Sequence, residues 1–118
     1  MASEITVTAY VTVANNGVVM SQNQSAMIDQ TGDASLEEVR PVSTTAAAIS
    51  FGTISGVPSV VMLKNLDTTN YINYGPSNPP TEFKLPAGHI AVFQPSSATQ
   101  YWKANTASVL TLIKATEA

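Results

Sequence analysis

The residues of this chain that could do chemistry are few. Its 118 residues include one histidine, eight carboxylates and no cysteine. His89 follows Pro86-Ala87-Gly88 and opens an apolar run. As a catalytic base it would need a nucleophilic serine and an orienting carboxylate beside it. No G-x-S-x-G elbow is present, and none of the twelve serines stands apart from the others. Asp29 and Asp33 around Gly32 resemble a calcium loop superficially, but the 1-3-5-12 oxygen order with glycine at position 6 is missing. Glu37 and Glu38 are adjacent, and neighbours on a strand point to opposite sides, so they cannot converge as an acid/base pair. There is no thiolate for a metal or a nucleophile, no G-x-G-x-x-G and no G-K-[ST]. The expectation is a protein that is not an enzyme, with no metal site and no cofactor.

The aromatic residues carry more information. Tyr71, Tyr74, Phe83, Phe93, Tyr101 and Trp102 all fall in the second half, after Tyr10 and Phe51. Some of them could stack on sugar rings or bases. They could equally be core and subunit-contact residues, because Tyr and Trp bury area while keeping one polar atom satisfied. No neighbouring cluster of Asp, Asn and Arg stands ready for sugar hydroxyls, which favours the second role. Tyr71, Tyr74, Tyr101 and Trp102 are therefore the candidate contact residues.

Charge excludes further classes. The net charge is −3, and Arg40, Lys64, Lys84, Lys103 and Lys114 are spread singly, so no track exists for a nucleic-acid backbone. No apolar stretch approaches the roughly 20 residues of a membrane-spanning helix. "MASEITVTAYVTV" lacks the basic and apolar regions of a secretory signal. Charged residues are 11% of the chain against a typical ~25%. Ser and Thr, 26 together, outnumber the thirteen charged residues two to one. A surface covered by hydroxyls and small apolar groups, with few lysines guarding sheet edges, suits a subunit that packs against neighbours. The length implies one domain over residues 1–118.

The elements that must position these residues read as strands. From Glu4 to Ala14, Ile5, Val7, Ala9, Val11 and Val13 alternate with Thr6, Thr8, Tyr10 and Thr12, as in a half-buried strand. Asn15-Asn16-Gly17 predicts a hairpin turn, with Val18 to Met20 beginning the return. Residues 21–35 read as polar and turn-like around a short "SAMIDQ" strand. "LEEVRPV" reads as a strand placed at an edge by Pro41, which cannot donate to a ladder. "STTAAAISFG" is the most helix-like piece, about two turns with Ser43 or Thr44 as N-cap. Six short apolar runs follow at a spacing of roughly 8–12 residues: "SVVMLKNL", "NYINYG", "EFKL", "HIAVFQ", "TQYWKA" and "ASVLTLIKA". In the first of these, Val60 to Leu63 is too continuous for simple alternation and predicts burial on both faces. Asp67 predicts a turn, and Ile72 is expected to face inward with Asn70 and Tyr74, in preference to the register that turns Tyr71 and Asn73 inward. The fold expected is all-β, an antiparallel β-sandwich of jelly-roll type with at most one short helix.

Three of these segments carry a resemblance. "VMLKNLDTTNYINYG", "FKLPAGHIAVFQP" and "YWKANTASVLTLIKA" together resemble small virion proteins of tailed bacteriophages. In those, an "lkNlD-tNyi-iG" segment precedes an "l-L-pGe-a-f" turn and a closing "a-a-T-a--l-l-i" strand. The resemblance covers residues 57–116, with "TGD" near residue 32 and "VRPVSTTAAAISFG" fitting more loosely. His89 stands where an acidic residue is common, so no role transfers to it. The resemblance implies a structural protein made in the host cytoplasm and built into the virion, most concretely a capsid decoration or cement protein. Its partner would be the major capsid protein, and a homotrimer would match the local three-fold sites of a shell. A neck, tail or fibre-base subunit is the structural alternative. A carbohydrate-binding module contacting the host envelope through Tyr71, Tyr74 or Trp102 is the alternative from another class.

Overall fold

The computed structural model describes residues 5–15, 18–28, 34–54, 56–106 and 108–117. Contacts divide the chain into two compact units, residues 1–31 and 32–118. The first is a two-stranded antiparallel ribbon of β1 (Ile5–Asn15) and β2 (Val18–Ile28). Asn15 pairs with Val18 and Ile5 with Ile28. Asn16 and Gly17 themselves lie outside the described residues, as do Asp29 and Asp33. Along β1, Thr6, Thr8 and Tyr10 are exposed and Val7 is half-buried, in line with the alternation read from sequence. β2 departs from expectation: residues 21–25 continue the strand instead of turning. Gln24 and Ser25 are exposed there, and exposed positions have no need of apolar alternation.

The second unit is a sandwich of two four-stranded sheets. Its strands are β3 (Ser35–Val42), β4 (Ala47–Ala48), β5 (Val60–Asn65), β6 (Ile72–Gly75), β7 (Phe83–Leu85), β8 (Ile90–Phe93), β9 (Tyr101–Ala104) and β10 (Val109–Thr116). One sheet has the order β3-β10-β5-β8 and the other β4-β9-β6-β7, with every pairing antiparallel. The chain changes sheet at every step except from β6 to β7, and its last strand fills the place beside its first. That is the eight-stranded jelly roll.

β10 carries the pattern most plainly. Val109, Thr111, Ile113 and Ala115 are buried, while Leu110 and Lys114 are exposed. β3 is an edge strand, as Pro41 requires, and Pro41 lies opposite Leu110. β5 corrects the two-faced reading. Val61, Leu63 and Asn65 are buried, whereas Val60, Met62 and Lys64 on the other side are half-buried. The stretch at 43–52 corrects the helix, since no helix occurs among the described residues. Ser43 turns the chain through its own hydroxyl, which bonds the Thr45 backbone, and does not cap a helix. Its backbone carbonyl takes the Ala104 amide, and the Ile49 amide reaches the Gln100 carbonyl. Ile49 and Phe51 are buried around an exposed Ser50, a period of two that pays more in the sandwich than two isolated helical turns. Pro86-Ala87-Gly88 forms the expected turn, with His89 N bonded to Pro86 O at 3.1 Å and Gly88 at φ 74°.

Candidate functional site

Residues directly opposed on antiparallel strands point to the same side of the sheet. In the β4-β9-β6-β7 sheet two rows lie on the inward side, Ala104–Ile72–Leu85 and Trp102–Tyr74–Phe83, with Phe83 on the edge strand still 55% exposed. The row between them, Lys103–Asn73–Lys84, points outward. Tyr71, two residues before Asn73, shares that outer side. It is tied to Asn105, whose side-chain oxygen accepts from Tyr71 N at 2.9 Å and whose backbone N–H donates to Tyr71 O at 3.2 Å. Between this row and the 79–81 loop lies a groove of about 470 Å³. Its lining includes Tyr71, Asn73, Pro79, Pro80, Lys103 and Asn105. The ammonium of Lys84 sits 4.3 Å over the Tyr71 ring.

The four candidate contact residues part company here. Tyr71 lines the groove, and Tyr101 is half-buried on the same outer side of the sheet, opposite Gly75. Tyr74 turns inward and stacks between Phe83 and Phe93, with ring centroids 5.3 and 5.4 Å away. Its partial burial raises the phenol pKa. Trp102 is 6% exposed and belongs to the core. Lys84, Lys103, Asn73 and Asn105 complete the surface around Tyr71. Only the strand register brings them together, so no local pattern in the sequence points to them.

The residues weighed for catalysis stay apart. His89 is exposed at the start of β8, with Nδ1 2.9 Å from the Ala87 carbonyl. Glu37 reaches Lys114 at 3.6 Å on the outer side of β3. Glu38 bonds Arg40, which also donates to the Ser50 carbonyl and so bridges the open edge of the sandwich. Among the described residues no three His, Cys, Asp or Glu side chains group as metal ligands. No helix among them is long and apolar enough to cross a membrane.

Electrostatics are concentrated in turns. Asp67 Oδ1 accepts from Thr69 N at 2.8 Å and Asn70 N at 3.0 Å. These backbone donors, Thr69 first, hold its carboxyl below the ordinary aspartate range. Glu82 is lowered likewise by the Ser77 hydroxyl, 2.6 Å away. A carboxylate with a depressed folded-state pKa stabilises fully above its unfolded value and loses that contribution as pH falls through the folded value. The melting temperature is therefore expected to drop as pH falls below roughly 4. Asp67→Asn, which keeps an acceptor oxygen but cannot titrate, is expected to flatten that acid limb. Thermal melts of both proteins between about pH 2 and 7 check this, and superimposable acid limbs would contradict it.

The outer side of the β3-β10-β5-β8 sheet is different in kind. Val39, Leu110, Ile90 and Val92 are 50, 48, 58 and 46% exposed there. Leu112, Met62 and Val60 lie half-buried among them. The charges of that side are the Glu37–Lys114 pair and Lys64. A depression of about 220 Å³ runs between β3, β10 and β5, bounded by Val60, Met62 and Lys114. In comparisons with known proteins, no family model, curated protein or solved structure matches the chain.

Proposed function

We propose that this protein is a non-catalytic structural subunit of a bacteriophage virion, bound in many copies to the outside of the capsid as a decoration protein. The virion origin rests on the resemblance of residues 57–116. The mode of action rests on one observation, the apolar outer side of the β3-β10-β5-β8 sheet. An antiparallel sandwich ordinarily keeps its outward residues polar. Here Val39, Leu110, Ile90 and Val92 all face water on one side of the sheet, and such apolar exposure suits a protein–protein contact.

Magnitude then favours multivalent binding. Four strands about 4.8 Å apart and four to eight residues long give an outer face of about 400 Å², part of it taken by the Glu37–Lys114 pair and Lys64. A standard interface buries about 800 Å² per partner, so one patch alone binds weakly. A homo-oligomer, with a trimer matching three-fold sites, would join several such patches and make attachment to the shell effectively irreversible. A surface low in charge and rich in hydroxyls suits close packing against neighbours.

Val92→Asp and Leu110→Asp test the reading. Both side chains are about half exposed, so each variant is expected to melt within a few degrees of the wild type. Each is expected to lose at least about tenfold in occupancy when mixed with undecorated shells, because a carboxylate would be desolvated at the contact. Wild-type occupancy by both folded variants would remove this surface from the account.

A further inference from the structure

The outward row Lys103–Asn73–Lys84 has a property that the docking reading does not use. Asn73 pairs with Lys103 on one side and Lys84 on the other, so two lysines flank a single amide on one exposed surface. Cross-strand neighbours lie about 5 Å apart, which leaves about 10 Å between the two lysine stems. Lysine stems are long enough for both ammoniums to converge on one anion, with that of Lys84 resting over the Tyr71 ring in this structure.

Neither lysine has an ion-pair partner among the described residues, where the only pairs are Arg40–Glu38 and Lys114–Glu37. The nearest candidate, Glu82, stands two residues before Lys84, but its carboxylate is committed to Ser77. It accepts from Ser77 Oγ at 2.6 Å and Ser77 N at 3.4 Å. It also packs over Gly75, where any β-carbon would collide with it. The Glu82 carboxylate keeps its negative charge there, so Lys84 and Lys103 leave this surface a surplus of one positive charge in a chain of net charge −3.

The groove beside the lysines supplies the rest of a recognition surface. Tyr71, Pro79 and Pro80 give it rigid apolar walls, while Asn105, Thr44 and Thr81 add amide and hydroxyl groups. Asn105 is held in place by its bonds to the Tyr71 backbone and, at 3.4 Å, to Asn70. Flat apolar surface alternating with hydroxyl-bonding groups matches a sugar ring, which is apolar on its faces and polar on its rim. A volume of about 470 Å³ lies within the usual range for small-ligand sites. A nucleic acid fits poorly, because its evenly spaced phosphates need a longer basic track than two lysines provide.

We propose that this groove binds a carboxylated sugar of an acidic polysaccharide, with Lys84 and Lys103 holding the carboxylate and Tyr71 lining the sugar ring. The site lies on the sheet opposite the apolar patch, so a subunit docked by that patch leaves it free to engage glycan.

Isothermal titration of the full chain with short oligomers of galacturonate, mannuronate and glucuronate-containing hyaluronan tests this, with maltotetraose, inorganic phosphate and oligoglutamate as controls. At least one acidic oligosaccharide is expected to bind saturably in about 50 mM salt and to weaken as salt rises. Lys84→Gln and Lys103→Gln are each expected to lower its affinity by about tenfold or more, as loss of a charge-assisted bond predicts. Lys64→Gln, on the other sheet, is expected to change nothing, and maltotetraose not to bind. Lys103, which lines the groove, and Lys84 beside it are both exposed, so circular dichroism is expected to show the wild-type fold. No binding by any acidic oligosaccharide, undiminished binding by a folded Lys103→Gln protein, or equal affinity for phosphate or oligoglutamate would each overturn the proposal.

Discussion

Trp102→Ala is expected to destabilise the sandwich by about 3–5 kcal/mol, the range for truncating a buried Trp or Phe. Trp102 is 6% exposed and lies between Ala47 on β4 and Tyr74 on β6, in the inward row of its sheet. Its neighbour across the first pairing is a two-residue strand, which has little else to hold it. A cavity there would be lined by strand backbones fixed in two ladders, so it cannot collapse readily, and the cost falls toward the upper part of the range. Against a total stability of about 5–15 kcal/mol, such a loss leaves a marginal or unfolded domain at working temperature. The melting temperature is expected to fall by more than about 10 °C, and a variant melting with the wild type would contradict the assignment of Trp102 to the core.

Asn65→Ala is the second large effect, and the less obvious one. Asn65 ends β5 with no exposed surface. Its amide nitrogen donates to the Asn70 carbonyl at 2.9 Å and the Leu85 carbonyl at 3.1 Å. Its oxygen accepts from Asp67 N at 2.9 Å. One side chain thus joins the end of β5, the turn that crosses to the other sheet, and the end of β7. Its own backbone bonds His89 O and Gly88 N, so the Pro86–Gly88 corner is tied to the same point. Alanine would strand three backbone groups that water reaches poorly, at about 1 kcal/mol each or more, for a total of about 3 kcal/mol. Asn65→Asp is expected to be at least as damaging, because a carboxylate would face two carbonyl oxygens. Urea unfolding of the two variants measures this, and a loss below about 1 kcal/mol in both would show that the crossover is held by other means.

Asn65 also marks where the sequence ceased to be legible. Between Lys64 and Asp67 it reads as the chain leaving the core for the surface, and turn residues are usually solvated. Its burial follows from the two sheets meeting at that corner, which no local pattern announces. The "STTAAAISFG" stretch misled for a related reason: alanine favours a helix locally and Ser43 or Thr44 could cap one, while the carbonyl of Gln100, just before β9, and the amide of Ala104 in β9 pair with it instead. Burial of Ile49 and Phe51 on one side decides the competition. In β2 the run from Ser21 to Ser25 was illegible because it is polar throughout and carries none of the apolar alternation of its partner β1.

Local chemistry was legible where it acts alone. Pro41 needs an edge, Gly88 supplies a positive φ, Asp67 accepts from the backbone two and three residues on, and β10 alternates under a single core. The jelly-roll order is the product of many such strands, each short enough to be recognised by composition. The groove was half legible. Tyr71 stood out as an aromatic beside asparagines, but Lys84 and Lys103 lie 19 residues apart in sequence and meet only through register with Asn73. The same register sends Tyr74 and Trp102, equally prominent in sequence, into the interior.

The central claim is that the protein is a stoichiometric part of a virion shell. Quantitative mass spectrometry of purified particles, calibrated against the major capsid protein, tests it most directly. Decoration of a shell predicts hundreds of copies per particle, and absence of the protein from the particles would contradict the account.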